Sequence, residues 1–306
     1  MNVLLLCPMF DGQTGPAIKY AFEQLGCTVR AVDANRQPEE SYTVACEFDP
    51  DLVFCSRTPS LTGQVAAIKK KFPSIVTCLW NVDAKQKVGH WKHIFPLIKI
   101  CDYYFVVEHG QIPGWKEINP NTFWLPQGVQ NEIYNKPKEI TDIDRQKYIC
   151  DVCFTGTSRP HRIPYLSAVA QMNVNYKKWG KPKNSLVYNE EHNKMVSLSK
   201  INLACTGPEV PELKGIISVR DFKILGAGGF LLEFYRDGLE KIFPENMKVV
   251  DYYRSPKELT EKIKYWLDKN HEWERWQIAE RGYSWVHENA TYTHRMRTAL
   301  EYMGMA

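Results

Sequence analysis

The stretch RDFKILGAGGFLL, from Arg220 to Leu232, sets an arginine and a short apolar run before three glycines and a bare hydrophobic strand. A guanidinium binds phosphate bidentately, glycine lets a backbone approach a ligand closely, and helix ends expose N–H groups. Arg220, Gly228 and Gly229 therefore form one candidate phosphate-binding group. The same residues also read as plain architecture, a short helix ended by Gly228 and Gly229 and followed by a packed strand. A second group lies in DVCFTGTSRPHRIPYL, where a strand ends at Phe154, Gly156 and Thr157 make a turn, and Arg159 and Arg162 head the next helix. Two arginines at a helix start suit a diphosphate. Solvated surface arginines are the alternative.

Residues able to take a proton stand at strand ends nearer the N-terminus. Asp83 follows the run VTCLW, and His109 follows VVE with Glu108 before it and a glycine after it. A carboxylate or a neutral imidazole there could accept a hydroxyl proton as that oxygen attacks. Asp33 is a weaker candidate, and each of these side chains could instead cap the turn it starts. The first loop, FDGQTGP, lacks the G-x-G-x-x-G fingerprint and the Walker lysine, which argues against a nicotinamide dehydrogenase or a P-loop kinase. Gly12 and Gly15 in that loop still allow a tight strand-to-helix turn beside a ligand. Trp80 lies near the same strand ends, with Trp91, Trp115 and Trp124, and offers a flat face for a sugar or base or else packs in the core. Cys150 and Cys153 have C-x-x-C spacing, but no second pair follows and the segment reads as a strand, so no metal site is expected.

The elements that would position these residues repeat one pattern. Apolar runs VLLLCPMF, TVRAVDA, DLVFCS, SIVTCLW, YYFVVE and TFWLPQG alternate with helix-like stretches such as GPAIKYAFEQLG and LTGQVAAIKKKF. Strands apolar throughout and separated by helices predict a parallel sheet covered on both faces. Residues 1–135 are expected to form one Rossmann-like α/β unit, residues 136–148 a polar linker, and residues 149–285 a second unit with strands in CDVCFTGT, VNYKKWG, INLACTG, GFLLEF and MKVVDYY. Ser255, Pro256 and Glu258 start a helix with a capping-box pattern. In the last helix, within residues 286–306, Met296, Leu300 and Met303 make an apolar stripe that needs a surface to dock on. Two such units would face a cleft at the carboxyl ends of their strands. At 306 residues the chain is long enough for both, and its formal charge of +4 suits an anionic small molecule as well as nucleic acid. Most of the nine cysteines sit in apolar runs, and no run is long enough to span a bilayer, so a reduced, cytoplasmic protein is expected.

Four segments carry a family resemblance: DVCFTGTSRPHRIPYL, SVRDFKILGAGGFLLEF, VVDYYRSPKELTEKIKYWL and RGYSWVHENATYTHRMRTAL. They resemble the second domain of the CgeB-like (spore-maturation) glycosyltransferases, a branch of the GT-B fold, and FWLPQGVQNEIY resembles that family's passage into its linker. The likeness runs from about Asp151 to Leu300, and the first unit resembles the family in layout. The resemblance implies a nucleoside diphosphate sugar, UDP-sugars among the choices, held by the second unit, and a hydroxyl acceptor held by the first. The acceptor would be a glycan, a small molecule or a hydroxylated DNA base. It also implies a final helix that crosses back to the first unit and a reaction that needs no bound metal or cofactor. On this reading Gly156, Thr157, Arg159, Arg162, Arg220, Lys223, Gly228 and Gly229 serve the donor, Gly12, Gly15 and Trp80 the acceptor, and Asp83 or His109 is the base. One departure stands out: relatives commonly carry a glutamate for the donor ribose where this chain has Lys223. Three outcomes follow: Lys223 takes a phosphate, another residue such as Glu233 reaches the ribose, or the protein binds without catalysing.

Overall fold

Six apolar runs form the first sheet. They are β1 (Asn2–Cys7), β2 (Thr28–Asp33), β3 (Leu52–Ser56), β4 (Val76–Asn81), β5 (Tyr103–Val106) and β6 (Thr122–Trp124). In the computed structural model, which describes residues 1–10, 12–180, 187–205 and 213–306, every pairing among them is parallel and the order is β2-β1-β3-β4-β5-β6. Parallel neighbours require crossover connections, which are supplied chiefly by α1 (Gly15–Gln24), α2 (Ser41–Phe48), α3 (Leu61–Lys71), α4 (Phe95–Ile100) and α5 (Ile112–Lys116). Alternate strand residues then face opposite cores. Leu4, Leu6, Val53, Cys55 and Leu79 enter one, and Val3, Leu5, Phe54, Cys78 and Trp80 the other.

The second unit holds α6 (Asp142–Tyr148), β7 (Cys150–Thr155), α7 (Ile163–Ala170), β8 (Tyr176–Trp179), α8 (Asn189–Ser197) and β9 (Ser199–Leu203). It continues through α9 (Val219–Gly226), β10 (Leu231–Phe234), β11 (Asp251–Tyr253), α10 (Pro256–Leu267) and α11 (Glu272–Asn289). Its sheet is again parallel, in the order β11-β10-β9-β7-β8. Both sheets reverse direction beside their first strand, between β1 and β3 and between β7 and β9. That is the doubly wound order whose crevice at the strand carboxyl ends receives ligands.

The units comprise Met1–Pro126 with Tyr292–Ala306, and Gln127–Thr291. The first division falls nine residues earlier than the sequence suggests, because Val129 and Tyr134 pack against Gly226, where an added Cβ would meet Val129 Cγ2 at 2.6 Å and the Tyr134 carbonyl at 2.9 Å. Where the chain passes out and back, Val129 N–H donates to the Ala290 carbonyl at 2.8 Å. Gly128 lies so close there that a Cβ would sit 2.7 Å from the same oxygen. The stretch expected to be a linker contains α6. Seven residues are too few to show an apolar period, and the helix is held instead by a capping box between Thr141 and Asp144 and by the buried Tyr148. At α10, Ser255 accepts from the Glu258 N–H as expected, but the Glu258 carboxylate takes the Arg254 N–H rather than closing the box on Ser255.

The chain ends in α12 (Tyr292–Met303), which packs within the first unit. Met296, Leu300 and Met303 join Ala17, Ile18 and Phe22 in one apolar cluster, and Tyr292 lies edge-on to Trp80 at 6.0 Å. Met296 is fully buried. Met296→Ala should lower the unfolding free energy by about 2–5 kcal/mol, the range for emptying a buried large site. Chemical denaturation monitored by circular dichroism checks this, and an unchanged midpoint would mean that α12 contributes no core.

Candidate functional site

Each sheet presents one polar site at its crossover point. In the second unit the ends of β7 and β9 are bridged by two guanidinium groups. Arg162 donates from Nε to the Cys205 carbonyl at 2.9 Å and from Nη1 to the Thr157 carbonyl at 3.1 Å. Arg220 donates from Nη1 to the Thr155 carbonyl, and both cations lie over the Phe154 ring, at 5.9 and 5.5 Å. Arg220 reaches this place because Ser218 caps α9: the Ser218 hydroxyl accepts from the helix start and Asp221 returns a carboxylate to the Ser218 N–H at 2.9 Å. The turn after β7 must be glycine. Gly156 has φ +142°, and a Cβ there would lie 2.5 Å from Arg220 Nη1. Thr157 and Arg159 are exposed on the same turn, and Arg159 precedes a short 3-10 turn that leads into α7.

One turn along α9, Lys223 sets its ammonium 4.5 Å above the Tyr134 ring. Burial and the neighbouring Arg220 cation pull its pKa down to about 8. Tyr134 also meets the ring of His192 of α8, edge-on at 5.4 Å. His192 is 3% exposed, and neither ring nitrogen has a hydrogen-bond partner among the described residues. Burial first, then Lys223 and Arg220, bring its pKa down to about 3, so the ring is neutral. Behind this cationic group Asp221 and Glu233 are buried and share a hydrogen bond, and burial raises the Asp221 carboxyl.

This arrangement separates residues that the sequence groups together. Gly156, Thr157, Arg162, Arg220 and Lys223 come to the carboxyl edge of the second sheet. Gly228 and Gly229 do not. They follow the C-terminus of α9, which runs antiparallel to the strands, so they lie at the opposite, amino edge just before β10. Their small size serves packing: a Cβ on Gly229 would meet Val196 Cγ1 at 2.4 Å, and one on Gly228 the Lys136 stem at 3.0 Å. Nor can Glu233 turn toward a ribose, since its carboxyl is buried with Asp221 and also accepts the Phe234 N–H at 3.0 Å. Tyr134 and His192 have no distinguishing sequence signal. His192, Met195 and Val196 fall on one apolar helix face, the pattern of an ordinary core position.

In the first unit a cavity of about 220 Å³ lies between the ends of β1 and β3, lined by Pro8, Thr14, Gly15, Ser56, Arg57 and Trp80 among others. Gly15 begins α1 so close to the preceding strand that a Cβ would lie 2.2 Å from the Pro8 carbonyl. Gly12 has φ +82° in the same loop; its neighbour Asp11 lies outside the described residues. Trp80 borders the cavity but is 1% exposed, donates to the Leu125 carbonyl at 3.0 Å and packs edge-on against Phe54. It is a core residue with no free face for stacking. Asp83, half exposed, forms an ion pair with Arg57, whose guanidinium lies 5.2 Å above the buried Trp91. His109 is one strand over, edge-on to Trp124 at 5.5 Å and outside the cavity lining. Glu108 caps the following turn, accepting from Gly110 and Gln111 N–H at 2.8 Å each. Asp33 does likewise: burial opposes its ionisation, but N–H groups of Asn35, Met9 and Arg36 outweigh it and hold its pKa low. Among the described residues, no cluster of three or more His, Cys, Asp or Glu side chains is placed to hold a metal ion. No described helix is long and apolar enough to cross a membrane.

Residues 151–301 match the model of a family described as glycosyl transferase-like. No curated protein matches the chain in sequence. HepE of Anabaena, in complex with UDP and glucose, has a TM-score of 0.66 at 11% identity over 100% of both chains. Sucrose-phosphate synthase from Thermosynechococcus elongatus gives 0.68 at 10% identity over 100% of this chain and 99% of that one. An alpha-glucosyltransferase in complex with UDP-glucose and DNA containing an abasic site gives 0.66 at 11% identity over 99% of each. The fold is GT-B, and with the glycosyl transferase-like second half it makes the chain a glycosyltransferase of the GT-B class.

Lys223 supplies a test that needs no ligand. Its pKa is lower in the folded state than in the unfolded chain, where lysine titrates near its reference of about 10.4. Below pH 8 both states are protonated and the fold bears the full cost of the buried cation. Between there and roughly 10.4 the unfolded chain binds more protons, so stability rises with pH. Lys223→Met should therefore raise the melting midpoint at neutral pH, with the gain shrinking through that window. A constant difference across the pH range would show that Lys223 is not charged at the cost of stability.

Proposed function

We propose that this chain transfers a sugar from a UDP-sugar to a hydroxyl acceptor and is a CgeB-like member of the GT-B enzymes. The observation that carries the reading is the meeting of Arg162, Arg220 and Lys223 at the carboxyl edge of the second sheet, beside a glycine turn that admits close approach. Three cations around a doubly wound crevice suit a diphosphate. Arg220 and Lys223 take the phosphate oxygens and stabilise the charge that grows on the leaving diphosphate. On the same turn Gly156, whose N–H is spent on the Trp179 carbonyl at 2.8 Å, leaves room for close approach, Thr157 offers an exposed hydroxyl and Arg159 an exposed guanidinium. Lys223 has only donors, so it serves phosphate oxygens rather than taking over the hydrogen-bond acceptance of a ribose carboxylate.

The first-unit cavity holds the acceptor, with Gly15 and the N-terminus of α1 in its lining and Gly12 in the loop that leads to them. Asp83 acts as base. Its carboxylate takes the proton of the acceptor hydroxyl, the oxygen attacks the sugar carbon, and the bond from that carbon to the diphosphate breaks with its electron pair leaving on UDP. Asp83 is preferred to His109 because its partner Arg57 lines the cavity whereas His109 stands apart from it. A hydroxylated DNA base is the second acceptor reading. It draws on the fold shared with an alpha-glucosyltransferase in complex with DNA and on the formal charge of +4.

A panel of UDP-sugars tests the donor: at least one should release UDP on incubation and raise the melting midpoint, since ligand bound to the native state stabilises it. If none does either, the assignment fails. Adding glycans or hydroxymethylated duplex DNA then distinguishes the acceptors by label incorporation. Arg220→Ala should weaken UDP binding by about 1.5–3 kcal/mol in calorimetry, the worth of a charge-assisted hydrogen bond. An unaltered affinity removes Arg220 from the donor site. Asp83→Asn should lower turnover about a hundredfold or more with UDP affinity unchanged. Near-native turnover moves the role to His109, whose His109→Gln variant should then show that loss.

A further inference from the structure

Gly228 and Gly229, displaced from the donor site, border a groove of about 720 Å³ at the amino edge of the second sheet. Its rim is formed by Ser197, Lys269 and Glu272 and by two tryptophans of α11, Trp273 and Trp276, while Ser199 lies buried with its hydroxyl donating to the Met195 carbonyl at 2.7 Å. Three residues apart on one helix, these indoles stack at 4.7 Å with 20° between their planes, yet remain 65% and 50% exposed. Trp80, Trp91, Trp115, Trp266 and Trp285 are all buried. An exposed aromatic pair in a concave polar setting leaves apolar faces in water that a ligand can cover.

We propose that this groove binds a neutral oligosaccharide chain, with the outer indole faces as a platform for the apolar faces of sugar rings and the serine, lysine and glutamate side chains meeting their hydroxyls. The choice of ligand rests on the sugar-transferring function above. Both a donor cation and an acceptor carboxylate stand on the rim, which matches hydroxyls that donate and accept. The local charge is close to balanced: Lys200 is held by Asp151 at 2.8 Å, and Arg275 lies 3.9 Å from Glu272. That balance gives no basis for an anionic polymer. A lipid surface is disfavoured too, because Trp273 and Trp276 are the only exposed large hydrophobic residues of α11 and Glu272 and Glu274 lie beside them. The groove is separate from the donor edge, since strands of four or five residues at about 3.3 Å each set the two edges roughly 15 Å apart. A chain held there stays near the enzyme between encounters, which raises its effective concentration.

The test uses the full chain and four probes: maltohexaose, cellohexaose, laminarihexaose and chitohexaose, titrated by tryptophan fluorescence and calorimetry. At least one should bind saturably, and Trp273→Ala and Trp276→Ala should each weaken it about tenfold or more. Both variants should keep the melting midpoint and the UDP affinity of the parent. The inference is overturned if no hexasaccharide binds at millimolar concentration or if binding survives both substitutions. It is equally overturned if the tryptophans instead govern sedimentation with phosphatidylcholine–phosphatidylglycerol vesicles, binding of single-stranded DNA, or self-association in the ultracentrifuge. UDP titration of the same samples keeps the two readings apart: UDP bound without glycan removes only the groove.

Discussion

The hydrogen bond from Arg220 to the Thr155 carbonyl fixes the geometry of the second unit's site. In a parallel sheet every strand ends on the same edge, and the helix that follows must begin there and run back. Ser218 and Asp221 cap that beginning in α9, and the cap aims the next side chain at the terminal carbonyl of β7. The neighbouring residue must then be glycine, because the guanidinium occupies the space of a Cβ at Gly156. Strand end, turn, cap and cation are thus one unit, and altering any of them moves the others.

The electrostatics around that bond are unbalanced in one direction. Arg220 stands 3.9 Å from the buried Asp221, but burial raises the Asp221 carboxyl and so works against its negative charge. Lys223 has an aromatic face rather than a carboxylate for company. His192 responds by remaining neutral, with its ring nitrogens unsatisfied in a buried place. Unpaired polar groups inside a protein cost stability and persist where another requirement holds them. A doubly charged diphosphate would supply the missing anion.

Much of the fold was legible because parallel strands are buried on both faces and read as unbroken apolar runs. Each of the eleven strands among the described residues overlaps a run that the sequence marks, with β1, β4 and β9 reaching one or two residues beyond it, and the stripe Met296, Leu300, Met303 identifies α12 as a docked helix. The short α6 escaped because capping, not periodicity, maintains it. Of the site, Arg220, Arg162 and Gly156 were visible through their chemistry. Gly228 and Gly229 misled for a geometric reason. Adjacent in sequence to Arg220, they lie a full helix length away, on the far edge of the sheet. Tyr134 and His192 were hidden because aromatic and histidine side chains on apolar faces look alike whether they pack or bind. Trp80 shows the converse, a residue at a cavity wall whose every face is already in use.

The first unit solves a different problem with similar parts. The base proposed at Asp83 needs, first, access to the acceptor and, second, a fixed orientation, which an aspartate at a loop start does not have by itself. Arg57 supplies the second. Held from below by the face of Trp91, it is a fixed donor rather than a mobile surface cation, and it grips one oxygen of Asp83. A carboxylate bound in this way keeps acceptor capacity on its other oxygen. The same guanidinium also borders the cavity, so on the role proposed for Asp83 the residue that aims it belongs to the surface against which the proposed acceptor would rest. On the proposed roles, orientation of the base and position of the acceptor depend on one side chain, so substituting Arg57 would disturb both together.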